Sequence, residues 1–333
     1  MDYTLNTTRV DQHTVPLAKP RFLLDEFSWI WFGTAVLFAV SAVLAPGTVT
    51  KSSLLAMLPF AGILAIVATG QTIVIQQRGL DMSAAGMVTL SGALVATLGF
   101  GTGSMLLAVF GTLAVAVIGG ILNGFLTSRL SITPLVATLA TNALLIGGVR
   151  SITGNSPISV PEPLQAFSHS QFLGLPYSIV LAVLFVVAVW VVTRKTIVGR
   201  KFVAVGISPR AAAAAGVPVT FYQVGAYVVS AVCFAVAGLL LAGFIGSASQ
   251  NGGHDYLMPA IAAVVVGGTP FTGGRGSVIA SAVAALFMAQ LGQLVLALGA
   301  SAAIQLLVQA AAILLATAIR NLPAILAGLR KRA

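Results

Sequence analysis

Residues 78–86 read RGLDMSAAG, so a base, Arg78, and an acid, Asp81, stand three residues apart in a chain that is apolar for long stretches on either side. An acid in such a setting can relay a proton, pair with a cation or cap a helix. The other ionisable groups narrow the choice. Asp255 stands at a helix end, Glu162 lies in a connection, and the remaining acids fall within the first 26 residues. His13, His169 and His254 are scattered over the N-terminal stretch and two separate connections, so neither a metal cluster nor a proton relay is expected. No Ser, Cys or His has the pattern of a nucleophile with its base, and catalysis is not expected. The glycine-rich GGTPFTGGRG at 267–276 lacks the Lys-Ser/Thr ending of a phosphate loop. It reads as a turn in which glycines permit left-handed dihedrals and close helix approach. No metal or cofactor is expected in this chain, and if ATP is used, another chain binds it.

What remains polar inside the apolar runs is mostly amide: Gln71, Gln76, Gln77, Asn123, Asn142, Gln290, Gln293, Gln305 and Gln309. Amides donate and accept hydrogen bonds without charge. They can line a path for a polyhydroxylated solute, or they can tie helices together at about 1 kcal/mol per bond. Gln71, Asn142, Gln290 and Gln293 are the candidates for lining a path.

The elements that must hold these groups follow from composition. The chain has 333 residues, 58% hydrophobic and 7% charged, with mean hydropathy +1.03, whereas a soluble domain carries about a quarter charged residues. Apolar runs of roughly 20 residues recur, the length an α-helix needs to cross a bilayer, and barrel-type strands are absent. The expected fold is an all-α polytopic membrane bundle of about ten segments: 28–46, 54–76, 82–100, 104–128, 134–150, 177–193, 220–245, 256–268, 277–298 and 301–320. The run at 256–268 is too short to cross alone and reads as a half-helix buried against protein. Domain organisation is a tail at 1–27 without the features of a signal peptide, a transmembrane domain at 28–320 and a basic tail at 321–333. Cys233 lies within an apolar run and reads as packing.

The net charge of +10 is explained by topology rather than by nucleic acid, because no separate basic domain exists to hold a duplex. With the N-terminus inside, ten crossings leave only Lys51 and Arg150 of the 17 Lys and Arg outside, as the positive-inside rule requires. Both termini are then cytoplasmic. Two longer connections are candidate partner surfaces, 151–176 outside and 194–219 inside. Five spans on either side of the outer connection permit a 5+5 inverted repeat, with the GLD at 79–81 corresponding to the GGHDY at 252–256.

Four ordered stretches carry a resemblance. GQTIVIQQRGLDMSAAGMVTLSGAL (70–94), ITGNSPIS (152–159), TIVGRKFVAVG (196–206) and AIAAVVVGGTPFTGGRGSVIA (260–280) are similar, in order and spacing, to stretches of the ribose/xylose-type permeases of ABC importers. The resemblance covers about residues 28–320. It implies a multi-pass subunit of the bacterial inner membrane, with a second permease subunit (a copy or a paralogue), two ATP-binding subunits that hold ATP and Mg, a periplasmic solute-binding protein, and a sugar as substrate. It also implies a short coupling helix in 194–219 facing the motor. Ser208 suits an N-cap, Pro209 the first turn and Gly216 the end of that helix, with Arg200, Arg210, Ala211, Ala212 and Ala213 as the remaining coupling candidates. Gly79, Asp81, Ser83 and Gly86 match the family's signature, where Asp81 is expected to cap the third span near Ser83 and Ala84 from a turn at the cytoplasmic surface. The sequence departs from the family at Pro209, Leu257, Pro259 and Arg150, which suggests one half of a heterodimeric permease whose partner keeps the standard residues. Two rival readings are a secondary carrier for a small polar solute and a structural membrane subunit without a path. Scarce intramembrane charge weighs against the first, and polar residues on facing helices weigh modestly against the second.

Overall fold

A computed structural model describes residues 27–330, with side chains to residue 318. The N-terminal tail up to residue 26 and residues 331–333 lie outside the described residues. The helices are α1 (Trp29–Leu44), α2 (Lys51–Gln76), α3 (Ala84–Thr102), α4 (Met105–Ser128), α5 (Pro134–Thr153), α6 (Glu162–His169), α7 (Tyr177–Lys195), α8 (Ile197–Ile207), α9 (Pro209–Ala214), α10 (Val219–Ile245), α11 (His254–Val266), α12 (Val278–Ala297) and α13 (Ala302–Arg330). Seven of them are long and apolar enough to cross a membrane, and α1, α11 and the apolar part of α13 are shorter apolar helices, so the ten expected segments each have a counterpart. The last helix continues to Arg330, through most of the stretch expected as a tail. The only sheet among the described residues is two pairs of two-residue strands: β1 (Ile158–Ser159) with β4 (Ser247–Ala248), and β2 (Gln171–Phe172) with β3 (Leu175–Pro176).

Local chemistry starts several helices. Thr50, Ser104, Thr196, Ser208 and Ser277 each accept, through the side-chain oxygen, a backbone N–H three residues on, satisfying donors that a helix leaves orphaned. Burial then sorts the helices into layers. About 70% of the residues in the apolar windows of α2, α3 and α10 are buried, against 17% for α7 and 22% for α5, so the first three form the centre and the others face outward. Close approach is permitted by small residues. A Cβ on Gly120 or Gly124 of α4 would stand 2.6 Å from the Cα of Val228 or Val224 of α10, and one on Gly238 of α10 would stand 2.2 Å from the carbonyl oxygen of Val88 in α3. The GGILNG stretch therefore works as a small-xxx-small crossing.

Depth is the main departure from the linear reading. After α2 ends, the chain turns back along it: the Gly79 N–H donates to the Val74 carbonyl at 3.0 Å, and the Gln71 side chain bonds the backbone of Asp81. At 1.5 Å per residue, α3 therefore starts roughly a turn and a half inside the end of α2. The same happens at the opposite end. α10 finishes at Ile245, β4 pairs with β1, and the chain then re-enters until the Gly253 N–H donates to Thr89 Oγ1 of α3 at 3.0 Å. A long helix, a short re-entering stretch and a helix starting inside the bundle thus occur in both halves with opposite sense, the geometry an inverted repeat produces. The half-helix expected near 256–268 is α11, 13 residues long.

Candidate translocation and coupling sites

Asp81 is wholly buried, and the expectation that it lies at the cytoplasmic surface is corrected by its depth. Its Oδ1 accepts the Ser83 N–H at 3.0 Å and also the Ser83 hydroxyl, and its Oδ2 accepts the hydroxyl of Ser230, twelfth of the 27 residues of α10. Asn123 of α4 donates to Ser83 Oγ at 2.9 Å, and Asn142 of α5 accepts the Gly86 N–H at 2.8 Å. The N-terminus of α3 is thus closed by side chains from three other elements. The cap runs to Ser83, and no bond from Asp81 to Ala84 is present. Both glycines of the signature stand where a side chain would collide: a Cβ at Gly79 would lie 2.5 Å from the Tyr227 hydroxyl, and one at Gly86 2.8 Å from Asn142 Oδ1.

Arg78 sits three residues from Asp81 yet faces elsewhere. Its Nε donates to the Gly206 carbonyl at 2.9 Å and its Nη2 to the Ile207 carbonyl, at the end of α8. The Gly274 N–H donates to the Gln76 carbonyl at 2.8 Å, and Arg194 donates to the Gly276 carbonyl at 3.1 Å. The end of α2, the end of α8 and the glycine-rich 267–276 turn are therefore one knot. Gly273 and Gly274 have φ of +80° and +73°, and a Cβ on them would meet Arg78 Cγ or the Ile207 backbone. The turn expected from the glycines is observed, and its reason is this packing.

Directly after the knot comes α9, six residues long, capped by Ser208 Oγ on the Ala211 N–H at 3.3 Å and with Pro209 at its start. Gly216 follows with φ +75°. Ala212 is buried in a cluster with Phe202, Val205 and Tyr222, whereas Arg200, Arg210, Ala211, Ala213 and Gly216 are exposed. The candidates for coupling are thus brought to one end of the bundle, except that Ala212 points into it.

At the opposite end a cavity of about 740 Å³ lies between the first half of α2, the end of α10, α11, α12 and α13. Its polar lining is Ser53, Ser249, Asn251, Asp255, Tyr256, Gln293, Gln305 and Gln309, and its walls include Phe60, Leu64 and Met288. Asp255 is exposed into it, and among the described residues no base lines it. Pro259, one turn on, has no N–H to give the Asp255 carbonyl, which leaves a further acceptor there. Gln293 Oε1 is buried without a hydrogen-bond partner among the described residues.

Of the four amides expected along a path, only Gln293 lines this cavity. Gln71 is fully buried and spent on Asp81, Asn142 caps α3, and Gln290 is fully buried with its Nε2 on Thr48 Oγ1 at 3.4 Å. Asp255, Asn251 and Ser249 were not anticipated as lining residues. The GGHDY stretch that hinted at the repeat holds Asp255 and directly follows Asn251, and was the available signal.

Comparison with known proteins gives consistent relatives. A family model described as branched-chain amino acid transport system / permease component matches residues 53–317. The chain is 33% identical over 289 residues to the ribose import permease protein RbsC of Bacillus subtilis (strain 168), covering 86% of this chain and 90% of that protein. It is 36% identical over 229 residues to the galactofuranose transporter permease protein YtfT of Escherichia coli (strain K12), covering 67% and 66%. It is 37% identical over 236 residues to the autoinducer 2 import system permease protein LsrD of Enterobacter sp. (strain 638), covering 68% and 72%. No solved structure matches the chain.

Proposed function

Because the chain belongs to the branched-chain amino acid transport system / permease component family, we propose that it is the membrane-spanning subunit of an ATP-binding-cassette importer and that its solute is a sugar. The observation that carries the choice of solute is the cavity. Eight polar residues line it, one of them the carboxylate of Asp255, and none is basic. A sugar donates hydroxyls to Asp255, Gln293 and Asn251 and lays its C–H face on Phe60 or Leu64, whereas an amino acid, whose ammonium pairs with Asp255, also brings a carboxylate for which the lining offers no cation. At about 740 Å³ the cavity falls within the usual range of small-molecule sites. The relatives, ribose, galactofuranose and autoinducer 2 permeases, support the same choice over the amino acids in the family's description.

The two ends of the bundle support the rest of the assembly. The basic end, with Arg200, Arg210, Ala211 and Ala213 exposed around α9, is the cytoplasmic face and receives two ATP-binding subunits, which hold ATP and Mg. The opposite end opens toward a periplasmic solute-binding protein, and a second permease subunit, a copy or a paralogue, completes the path in the bacterial inner membrane. The chain transports and does not catalyse. A carrier working alone would have no use for a capped, exposed helix beyond the membrane, which favours the importer.

The test is reconstitution of the chain with its ATP-binding and solute-binding partners in proteoliposomes, followed by ATP-driven uptake of labelled sugars and of leucine. Uptake of a sugar that falls at least tenfold in Asp255→Ala supports the reading. Uptake of leucine but of no sugar, or ion-driven uptake by this chain alone, overturns it.

A further inference from the structure

On the basic end, away from both α9 and the solute cavity, a recess of about 360 Å³ lies between the start of α1, the end of α7 and the start of α12. Its charged lining is Arg194 and Lys195, and among the described residues no acid lines it. Both bases are exposed. Arg194 is steadied by its bond to the Gly276 carbonyl at 3.1 Å, which leaves other guanidinium N–H groups to spare, and the Lys195 ammonium lies 5.5 Å from the centre of the Trp190 ring. The third electropositive component is the first turn of α12, whose Ser277 and Ile279 border the recess.

The aromatic lining sets the depth. Trp31 and Trp190 both border the recess, and tryptophans beside basic residues at a helix end mark the headgroup level of a bilayer. Trp31 is more than half exposed, as suits a ring lying along an acyl chain. A recess that is basic, roofed by tryptophans and set between membrane helices selects a lipid phosphate over a soluble partner. We propose that it is a binding site for the headgroup of an anionic phospholipid, with the phosphate between Arg194, Lys195 and the first turn of α12 and the first acyl carbons against Trp31. A lipid seated there would tie α1, α7 and α12 together beside the 267–276 turn, to which Arg194 already connects.

The experiment uses tryptophan quenching. The chain has three tryptophans, so in the full chain carrying Trp29→Phe the two that remain are those of the recess. The protein is placed in nanodiscs of phosphatidylcholine and titrated with brominated phosphatidylglycerol or brominated phosphatidylcholine. The expected result is quenching by the anionic lipid at several-fold lower mole fraction than by the zwitterionic one, with Lys195→Gln shifting the curve about fivefold, the factor one base contributes near an anionic surface. Among the described residues Lys195 makes no hydrogen bond that holds the fold together, so this variant reads binding rather than folding. Three results would each overturn the proposal: equal quenching by both lipids, an unchanged curve in Lys195→Gln, or displacement of the anionic lipid by millimolar inorganic phosphate, which would assign the site to a free anion.

Discussion

Arg78 and Ile207 are joined directly, the guanidinium Nη2 donating to the Ile207 carbonyl while Nε donates to Gly206 at 2.9 Å. The link connects the re-entering stretch before α3 to the last residue before the cap of α9, so a push on α9 has a hydrogen-bonded route to the segment that carries Asp81. Charge-assisted bonds of this kind are worth about 1.5–3 kcal/mol. Arg78→Ala is expected to keep ATP hydrolysis in the reconstituted transporter while lowering the number of solutes moved per ATP. Arg78→Lys, which keeps one donor, should recover part of that ratio. A proportional fall in both activities would mean that Arg78 serves the fold alone.

The alanines of α9 divide by direction, which changes the mutation that sequence alone suggests, aspartate at both Ala212 and Ala213. Ala212 is buried among Phe202 and Tyr222, and a carboxylate there would be desolvated within the chain's own core, costing several kcal/mol. Ala213 is exposed. Ala213→Asp alone should leave expression and thermal unfolding unchanged while abolishing co-purification of the ATP-binding subunits. Ala212→Asp should lower the unfolding temperature whether or not a partner is present. Normal uptake in Ala213→Asp would remove α9 from the motor contact.

Asp81 has two structural duties in one side chain, closing α3 through Ser83 and reaching α10 through Ser230. Asparagine keeps an oxygen for Ser83 and offers an N–H₂ to the Ser230 oxygen, so Asp81→Asn should insert normally and retain uptake within about threefold, a loss under ~1 kcal/mol. Asp81→Leu strands the Ser83 N–H and two hydroxyls, each costing about 1–3 kcal/mol when buried, and should lower the unfolding temperature sharply. Wild-type expression of Asp81→Asn with no uptake would show that the charge itself takes part in transport.

The spans were legible because crossing a bilayer imposes a length that hydropathy reports directly, and α11 was legible as a half-helix for the same reason. Depth was not. Residues 77–83 read as a surface turn because a linear pattern does not say that the chain doubles back along α2, and the side chains that meet the turn there, Ser230 on Asp81 and Asn123 on Ser83, are far away in sequence and ordinary in type. The amides illustrate the same limit. Gln71 and Gln293 stand in equally apolar runs, yet one is consumed by a backbone and the other borders the cavity. Only the helix face separates them, and helices apolar on all sides carry no stripe from which to read it. A short helix after Ser208 was legible from its caps, but not which alanine points inward.

Re-entry at this end depends on close contact between α3 and the stretch that leads into α11, and Gly253 is its tightest point. A Cβ there would lie 2.1 Å from the Ala85 carbonyl and 2.9 Å from Thr89 Oγ1, whereas one at Gly101 on α3 meets nothing within 4 Å. Gly253→Ala must push α11 away from α3 and should cost about 1–3 kcal/mol, as overpacking does. It should appear as a lower unfolding temperature in detergent, with Gly101→Ala neutral or slightly stabilising because alanine is the better helix former. Equal unfolding temperatures for the two variants would show that α11 and α3 are not held against each other.

Gly292 separates the cavity from the fold. Gly292 lines the cavity on α12, and a Cβ on it would point at Gln305, 2.7 Å from its Nε2 and 3.7 Å from that of Gln309. Both neighbours are the far ends of flexible side chains that can swing aside, so a larger residue is accommodated at the expense of the cavity rather than of the backbone. Gly292→Leu should therefore insert and bind the ATP-binding subunits as the parent does, yet lower solute uptake by at least tenfold, because the space and the Gln305 amide are lost together. Gly292→Ala, with one added methyl group, should fall between the two. Uptake unchanged in Gly292→Leu, with normal assembly, would move the solute path out of this cavity and onto another face of the bundle.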